Sequence, residues 1–164
     1  MTIEEHYNAI APKLTSYLVG AGTDYHAACD IVQETCLRLW KKRDELLDDP
    51  AQVSGYVYTI ARNLRADRLR KQARETLQEE ITDEDAGAVM PSASSASDIP
   101  YLRRRLNDAL AQLPPLVREA FSLFQISELP VREIARITGA SESLVKVRVP
   151  RAKMKLRELL ADIA

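Results

Sequence analysis

Apolar residues recur every three or four positions along most of the chain, which is the period of an α-helix. Thr2 and Glu5 have the spacing of a capping box, so a first helix is predicted from there to about Val19. Residues 20–22 (GAG) interrupt the pattern and end this helix. The N-terminal part of the chain is therefore expected to begin with an amphipathic helix.

Two further helices are predicted in the N-terminal half. Thr23 or Asp24 can cap the second, which runs to about Leu46, and residues 47–50 (LDDP) form a break. The third then continues to about Leu77. Its expected buried stripe consists of Val57, Ile60, Ala61 and Leu64.

The segment after the third helix has the composition of a linker. Residues 75–98 contain seven acidic side chains and no Lys or Arg, and residues 90–98 are small and polar. We therefore predict an all-α chain of two small helical domains, residues 1–77 and 99–164, joined by a flexible acidic linker at 78–98. A plain tether and a strand that imitates the charge of nucleic acid both explain this composition.

The C-terminal half has the pattern of a helix-turn-helix. A helix at about 100–112 ends at residues 113–115 (LPP), whose proline starts the next helix. Pro130 opens a short helix, residues 138–140 form a tight turn, and Ser141 can cap a long final helix. An ordinary helical hairpin with a solvated basic face would produce the same pattern.

The final helix separates into an apolar face and a polar face. The apolar stripe consists of Val145, Val149, Ala152, Leu156 and Leu159. A recognition helix would present the opposite face to the DNA major groove. Pro150 lies inside this helix and removes one backbone hydrogen bond, so the helix either kinks there or ends near Arg148 and restarts, and we predict a kink.

Charge is segregated along the chain although the net charge is only −1. Residues 62–74 carry six basic side chains and one acidic side chain, and residues 141–157 also carry six basic side chains and one acidic side chain. Because the local field decides whether a phosphate backbone is attracted, both segments are candidate DNA-binding helices. Two solvated surface helices would have the same composition.

Other functional classes find little support in the sequence. No apolar run is long enough to cross a membrane and no signal peptide is visible, so a cytoplasmic protein is expected. Cys29 and Cys36 are too far apart on one helix for a disulfide, which leaves small buried apolar residues or a redox or metal role. His6 and His26 lack metal-ligand spacing with them, so neither an enzyme nor a cofactor is expected.

Several segments together resemble the extracytoplasmic-function (ECF) sigma factors of the sigma-70 superfamily. In the C-terminal half these are residues 113–121 (LPPLVREAF), 133–135 (EIA) and 139–148 (GASESLVKVR). In the N-terminal half, residues 30–40 (DIVQETCLRLW) and 58–64 (YTIARNL) are similar to the family's polymerase-binding and promoter-melting segments. The resemblance implies an alternative sigma factor that binds core RNA polymerase and directs promoter recognition, melting and transcription initiation.

The resemblance also implies which residues carry these roles. The β′ coiled coil of core polymerase would be bound by Asp30, Gln33, Glu34, Leu37, Arg38 and Lys41. The −10 element would be bound by Gln52, Tyr56, Arg62, Asn63, Arg65, Arg68 and Arg70, with a flipped base in a loop at residues 47–54. The −35 element would be bound by Ser141, Ser143, Lys146, Val147, Arg148, Pro150 and Arg151.

Two departures and two further partners complete what the resemblance implies. Val147 and Pro150 stand where relatives commonly have serine and a polar or aromatic residue, so the −35 sequence preference is not transferable. The β flap of the polymerase and an anti-sigma factor are the other expected partners, without membrane insertion.

Two other functions remain open at this level. A sigma-like mimic would bind an anti-sigma factor without initiating transcription, and Pro150 favours it. A plain helix-turn-helix repressor or activator would bind duplex DNA without polymerase, and leaves the N-terminal motifs unexplained.

Overall fold

A computed structural model describes residues 2–45, 50–78 and 98–163, and within them all regular structure is helical. The helices are α1 (Ile3–Gly20), α2 (Tyr25–Lys41), α3 (Pro50–Gln78), α4 (Asp98–Ala111), α5 (Pro115–Phe121), α6 (Val131–Thr138) and α7 (Glu142–Leu159). A π-helical segment, Ser122–Ile126, follows α5 directly. The all-α prediction is confirmed, and the predicted linker falls almost wholly outside the described residues.

Local capping interactions begin the first two helices. The Thr2 backbone N–H donates to Glu5 Oε2 at 3.1 Å, and the Glu5 N–H donates to Thr2 Oγ1 at 3.2 Å. This reciprocal pair is the predicted capping box, and it satisfies two N–H groups that the helix leaves free. Asp24 rather than Thr23 caps α2, because its carboxylate accepts from the Ala27 N–H at 3.0 Å.

Helices α1, α2 and α3 pack against one another as a three-helix bundle. The spacing of the residues predicts that Ala28, Val32, Cys36 and Leu39 of α2 face the core. Ala28 and Leu39 are buried as predicted, but Ile31 and Thr35 are buried in place of Val32 and Cys36, which are half-buried. Cys29 is also half-buried and both thiols are free, so the expectation of two buried cysteines was wrong. The difference has a physical cause. The buried face of α2 must contact both α1 and α3, and the face that does so is centred nearer Ile31 than Val32.

The C-terminal unit forms the predicted helix-turn-helix from α6 and α7. Gly139 joins them with a φ of 72°, a left-handed conformation that glycine adopts without steric cost. Ser141 then caps α7 by accepting from the Leu144 N–H at 3.1 Å. The stripe predicted for α7 is buried at Val145, Val149, Ala152 and Leu156.

Helix α7 is continuous across Pro150, so a break near Arg148 does not occur. Pro150 is exposed, and its neighbour Val149 is buried. The hydrogen bond that proline removes therefore lies on the solvent side, where water can satisfy the Lys146 carbonyl. A bend of the helix axis at this position stays a prediction.

The two units share one hydrophobic core, which the sequence pattern did not predict. Buried side chains of α1 and α3, such as Leu18 and Val57, belong to the same cluster as Leu123, Ile134 and Val145 of the C-terminal unit. A second, smaller cluster joins α4 and α5 to α7 around Leu110 and Leu156. The two predicted domains are thus packed together rather than held apart.

Two aromatic rings lie where this shared core meets polar groups. Tyr17 and Tyr58 are fully buried and pack edge to face, with centroids 5.7 Å apart. Burial raises the pKa of Tyr58 to about 12, and a hydrogen bond with Ser127 opposes this in part. Burial also raises the pKa of Tyr17 well above its usual value, assisted by the nearby Glu119.

We expect the chain to lose stability in alkali through Tyr58. Above pH 10 the unfolded chain releases the phenolic proton, whereas the folded chain keeps it until about pH 12. Stability should therefore fall across this window, by about 1 kcal/mol at pH 11 from this residue. Urea denaturation at pH 8 and pH 11 measures the loss. Tyr58→Phe should show a smaller difference between the two pH values, and an unchanged difference would contradict the assignment.

Candidate polymerase and promoter interface

The polymerase-binding residues predicted on α2 are all exposed. Leu37 stands out among them, because 57% of an apolar side chain faces solvent between charged neighbours. Glu34 and Arg38 flank it and pair at 3.2 Å, one helical turn apart. An exposed leucine ringed by charge is typical of an interface centre with a polar rim.

Asp30 differs from the other members of this set in its ion pair with a second helix. Its carboxylate accepts from Arg68 of α3 at 3.2 Å, so it bridges the two helices. The bridge crosses a cleft of about 400 Å³, which Leu64 and Lys71 also line. The structure therefore joins one predicted polymerase contact and one predicted −10 contact into a single ion pair.

Trp40 at the end of α2 was not among the predicted contacts. Its ring is 47% exposed, and the Arg43 guanidinium lies 4.3 Å from its centroid. It also lines a pocket of about 170 Å³ with Tyr7 and Leu39. The sequence signal was present, since Trp40 follows Leu37 at helical spacing on the same side of α2.

Six of the seven residues predicted to bind the −10 element fall into two groups on α3, and the seventh, Arg68, pairs with Asp30 of α2. Gln52 and Asn63 are exposed, and Tyr56 is half-buried; they lie on one face with the exposed Arg70, which pairs with Asp67. Arg62 and Arg65 are half-buried and turned toward the rest of the protein. The predicted set therefore does not form one continuous surface in this structure.

Arg65 holds the end of α1. Its Nη2 donates to the Ala21 carbonyl at 2.7 Å and its Nε donates to Thr23 Oγ1 at 3.1 Å. A cation at a helix C-terminus satisfies free carbonyls and interacts favourably with the helix dipole. The described contacts of Arg65 are thus structural.

Arg62 pairs with the C-terminal unit. Its Nε donates to Glu119 Oε2 at 2.9 Å and its Nη2 donates to Oε1 at 3.2 Å. These hydrogen bonds to Glu119 raise the pKa of the Arg62 guanidinium, although partial burial lowers it. No local pattern in the sequence predicted this pair, because its members lie 57 residues apart.

The loop predicted to take a flipped base at residues 47–54 is only partly described. Residues 47–49 lie outside the described residues, whereas α3 begins at Pro50. Gln52 and Ser54 are therefore helical, which corrects the expectation of a loop up to Ser54. The physical reason is that proline is well tolerated in the first turn of a helix.

The residues predicted to bind the −35 element lie on the outer face of α7 and its cap. Six of the seven are exposed, and Arg148 is half-buried. The Ser141 hydroxyl already accepts the capping hydrogen bond from the Leu144 N–H. Val147, at 45% exposure, is the apolar member of the face. The packing of the two units leaves this face open.

Among the described helices, none has a stretch apolar enough to span a bilayer. The Sigma-70 region 2 family model matches residues 6–75, and the Sigma-70, region 4 model matches residues 103–156. Region 2 thus covers α1–α3 and region 4 covers most of α4 through α7.

Relatives and solved structures agree with these matches. The sigma factor CarQ of Myxococcus xanthus is 31% identical over 98% of this chain and 90% of its own length. The ECF sigma factor SigM of Bacillus subtilis is 29% identical over 97% of this chain and 95% of its own.

The fold is similar to that of the sigma factor RpoE from Bartonella quintana, solved in complex with the anti-sigma factor NepR. The TM-score is 0.77 at 26% identity, over 96% of both chains. Coverage of nearly the whole chain includes both helical units rather than one shared motif. The chain therefore belongs to the ECF family of RNA polymerase sigma factors, the alternative sigma factors that direct transcription initiation.

Proposed function

We propose that this sigma factor binds core polymerase and promoter DNA through separate exposed surfaces of regions 2 and 4. Region 2 binds the β′ coiled coil of core polymerase through α2 and the opened −10 element through α3. Region 4 binds the −35 element through α7 and the β flap through its remaining surface. The observation that carries this division is the exposure of both α2 and α7 on their polar faces.

The α2 face supports polymerase binding by its composition. Gln33, Glu34, Arg38 and Lys41 surround the apolar side chain of Leu37, and all five are exposed. Apolar area that is removed from water on binding supplies affinity, whereas the charged rim sets orientation. A helix face that contacted only water would gain no stability from an exposed leucine such as Leu37.

The α7 face supports duplex recognition by its charge and shape. Lys146 and Arg151 are exposed beside Val147, which can contact only an apolar group such as a thymine methyl. Ser141 caps α7, and the first turn of this helix is exposed. The free N–H groups of that turn and the helix dipole favour the binding of a phosphate. This is the arrangement that a recognition helix needs in a major groove.

The exposed part of α3 supports binding of opened DNA. Gln52, Tyr56 and Asn63 combine amide groups, which read base edges, with an aromatic ring, on which a base can stack. Arg70 extends this surface with positive charge toward the C-terminal end of α3, whereas Arg68 lies on another side of the helix, beside Asp30. Arg62 and Arg65 join this surface only if their contacts in this structure are released.

An anti-sigma factor is the regulatory partner that we propose. The support is the likeness to RpoE, whose solved complex contains NepR. We also propose that the chain acts in the cytoplasm without a cofactor or catalytic step of its own, because core polymerase supplies the chemistry.

Run-off transcription with purified core polymerase over a promoter library tests the proposed function. We expect a discrete transcript and one enriched pair of −10 and −35 sequences. A sigma-like mimic, which Pro150 favoured, would bind an anti-sigma factor but yield no transcript. A plain helix-turn-helix regulator would bind duplex DNA and fail to bind core polymerase.

Lys146→Ala is expected to weaken binding to the selected −35 duplex about tenfold, a change of ~1.4 kcal/mol. The loss of one exposed cation should also reduce the slope of log affinity against log salt by about 0.9 if it contacts a phosphate. Fluorescence anisotropy over a salt series measures both. Lys155→Ala is the matched control, since Lys155 is exposed on α7 outside the predicted face and pairs with Glu158. Equal losses for both variants would contradict the assignment.

A further inference from the structure

Glu119 is an acidic side chain buried where regions 2 and 4 meet. Only 4% of it is exposed, and its carboxylate accepts from the Tyr17 hydroxyl at 2.8 Å. The other partner is Arg62, which donates through two nitrogens. A buried carboxylate is stable only with such partners. Tyr17, Arg62 and Glu119 therefore form one hydrogen-bonded group, which joins α1 and α3 to α5.

The Glu119 carboxylate occupies the two N–H donors with which the Arg62 guanidinium would bind another anion. A guanidinium binds carboxylate and phosphate with the same planar pair of N–H donors. While Glu119 accepts from Nε and Nη2, those two donors are unavailable to a DNA phosphate or base edge. The carboxylate thus stands where a nucleic-acid group would bind.

The surrounding seam brings the two regions into close contact. The Arg118 Nε donates to the Gly20 carbonyl at 2.6 Å, and the Ser122 hydroxyl donates to the Tyr17 carbonyl at 3.1 Å. A Cβ atom added to Gly20 would lie 2.7 Å from both Ser122 Oγ and Ile126 Cδ1. Even a methyl group at Gly20 would displace these two side-chain ends, so the seam has little room for a larger side chain.

This packed arrangement is too small to hold both promoter elements. At roughly 3.4 Å per base pair, the ~25 base pairs between positions −10 and −35 extend about 85 Å. A compact chain of this length has a radius of gyration of about 15 Å, and hence a diameter of about 40 Å. On straight duplex DNA, the two regions must separate before both elements are bound.

We propose that Glu119 is an internal latch that holds the polymerase-free sigma factor closed by binding Arg62 in place of promoter DNA. The latch covers Arg62 of the −10 surface and leaves the α7 face open. Binding that separates the regions releases Arg62 for the opened strand. This inference rests on the proposed role of Arg62 in −10 binding.

Two variants with different chemistry test the latch in the full chain without polymerase. Glu119→Gln removes the charge that pairs with Arg62, and Gly20→Leu places a branched side chain in the seam without changing any charge. Glu158→Gln is the matched control, because Glu158 is an exposed acid of region 4 away from the seam. Circular dichroism verifies that each variant keeps its helices.

Small-angle scattering and binding to the single-stranded −10 oligonucleotide of the selected promoter are the two readouts. We expect both variants to raise the radius of gyration from about 15 Å to above ~20 Å. We also expect them to bind the oligonucleotide about tenfold more tightly, whereas the control changes neither value. If Glu119→Gln fails to fold, the same two readouts of Gly20→Leu decide between the outcomes.

Variants that remain compact would contradict the proposed latch. Variants that expand without binding the oligonucleotide more tightly would also contradict it. Failure of the proposed function gives a different result, namely no transcript from the unaltered chain with core polymerase. The scattering measurement does not depend on that outcome.

Discussion

Leu37→Glu is expected to weaken binding to core RNA polymerase about 30-fold or more. Apolar anchors at the centre of an interface commonly contribute ~2 kcal/mol or more, which corresponds to this factor. The substitution removes apolar area and adds a like charge beside Glu34. Glutamate is a good helix former, so α2 should persist. Titration of labelled sigma factor with core polymerase measures the effect, and run-off transcription at limiting sigma factor should fall in parallel.

Leu69→Glu is the matched control for this prediction. Leu69 is 48% exposed, close to the 57% of Leu37, and lies in α3, outside both surfaces proposed to bind polymerase. Both variants add one negative charge in place of an exposed leucine. If the two lose affinity equally, the cause is the added charge and not the α2 face.

Leu123→Ala is expected to lower the free energy of unfolding by about 2–5 kcal/mol, the usual range for a buried leucine. Leu123 is fully buried in the core that regions 2 and 4 share. Its truncation removes apolar contacts and leaves a cavity that close packing cannot fill completely. Region 4 alone would bear this loss if the two regions were independent.

The single tryptophan of the chain makes that distinction measurable. Trp40 lies in α2 of region 2, so its fluorescence reports unfolding of the unit that does not contain Leu123. With a shared core, urea unfolding followed by Trp40 should shift together with the circular dichroism signal. A shift in circular dichroism alone would mean that the regions unfold separately. Leu116→Ala, an exposed control, should change stability by no more than about 0.5 kcal/mol.

The predictions that the structure confirmed depend on a few neighbouring residues. The capping box of Thr2 and Glu5, the left-handed turn at Gly139 and the cap at Ser141 all form within one helical turn. Their geometry follows from backbone chemistry that the residue types themselves specify. The apolar stripe of α7 was predicted for the same reason, since a helical period is visible in the sequence.

The error in the α2 stripe has a different origin. Apolar spacing around Ala28 and Leu39 admits two nearby faces, and Val32 and Ile31 compete for the centre. The choice depended on the direction from which α1 and α3 approach, which is a tertiary property. Ile31 became the buried residue because it faces both helices.

The candidate-site residues show the same difference between local pattern and tertiary packing. The exposed residues of α2 and α7 were assigned from the family resemblance, and their exposure follows from polar positions opposite a buried stripe. Arg62 and Arg65 belong to the same basic segment as Arg68 and Arg70. Charge along the sequence did not distinguish them.

By itself, the sequence determined the all-α fold, the ends of most helices and the helix-turn-helix, because each depends on interactions between residues that are near in the chain. Only the tertiary structure decided that regions 2 and 4 share a core and that Arg62 is paired with Glu119. The Arg62–Glu119 pair joins residues 57 positions apart, and no local pattern encodes which buried faces meet. The basic face of α3 is thus specified by sequence, while its accessibility is set by the packing of region 4 against it.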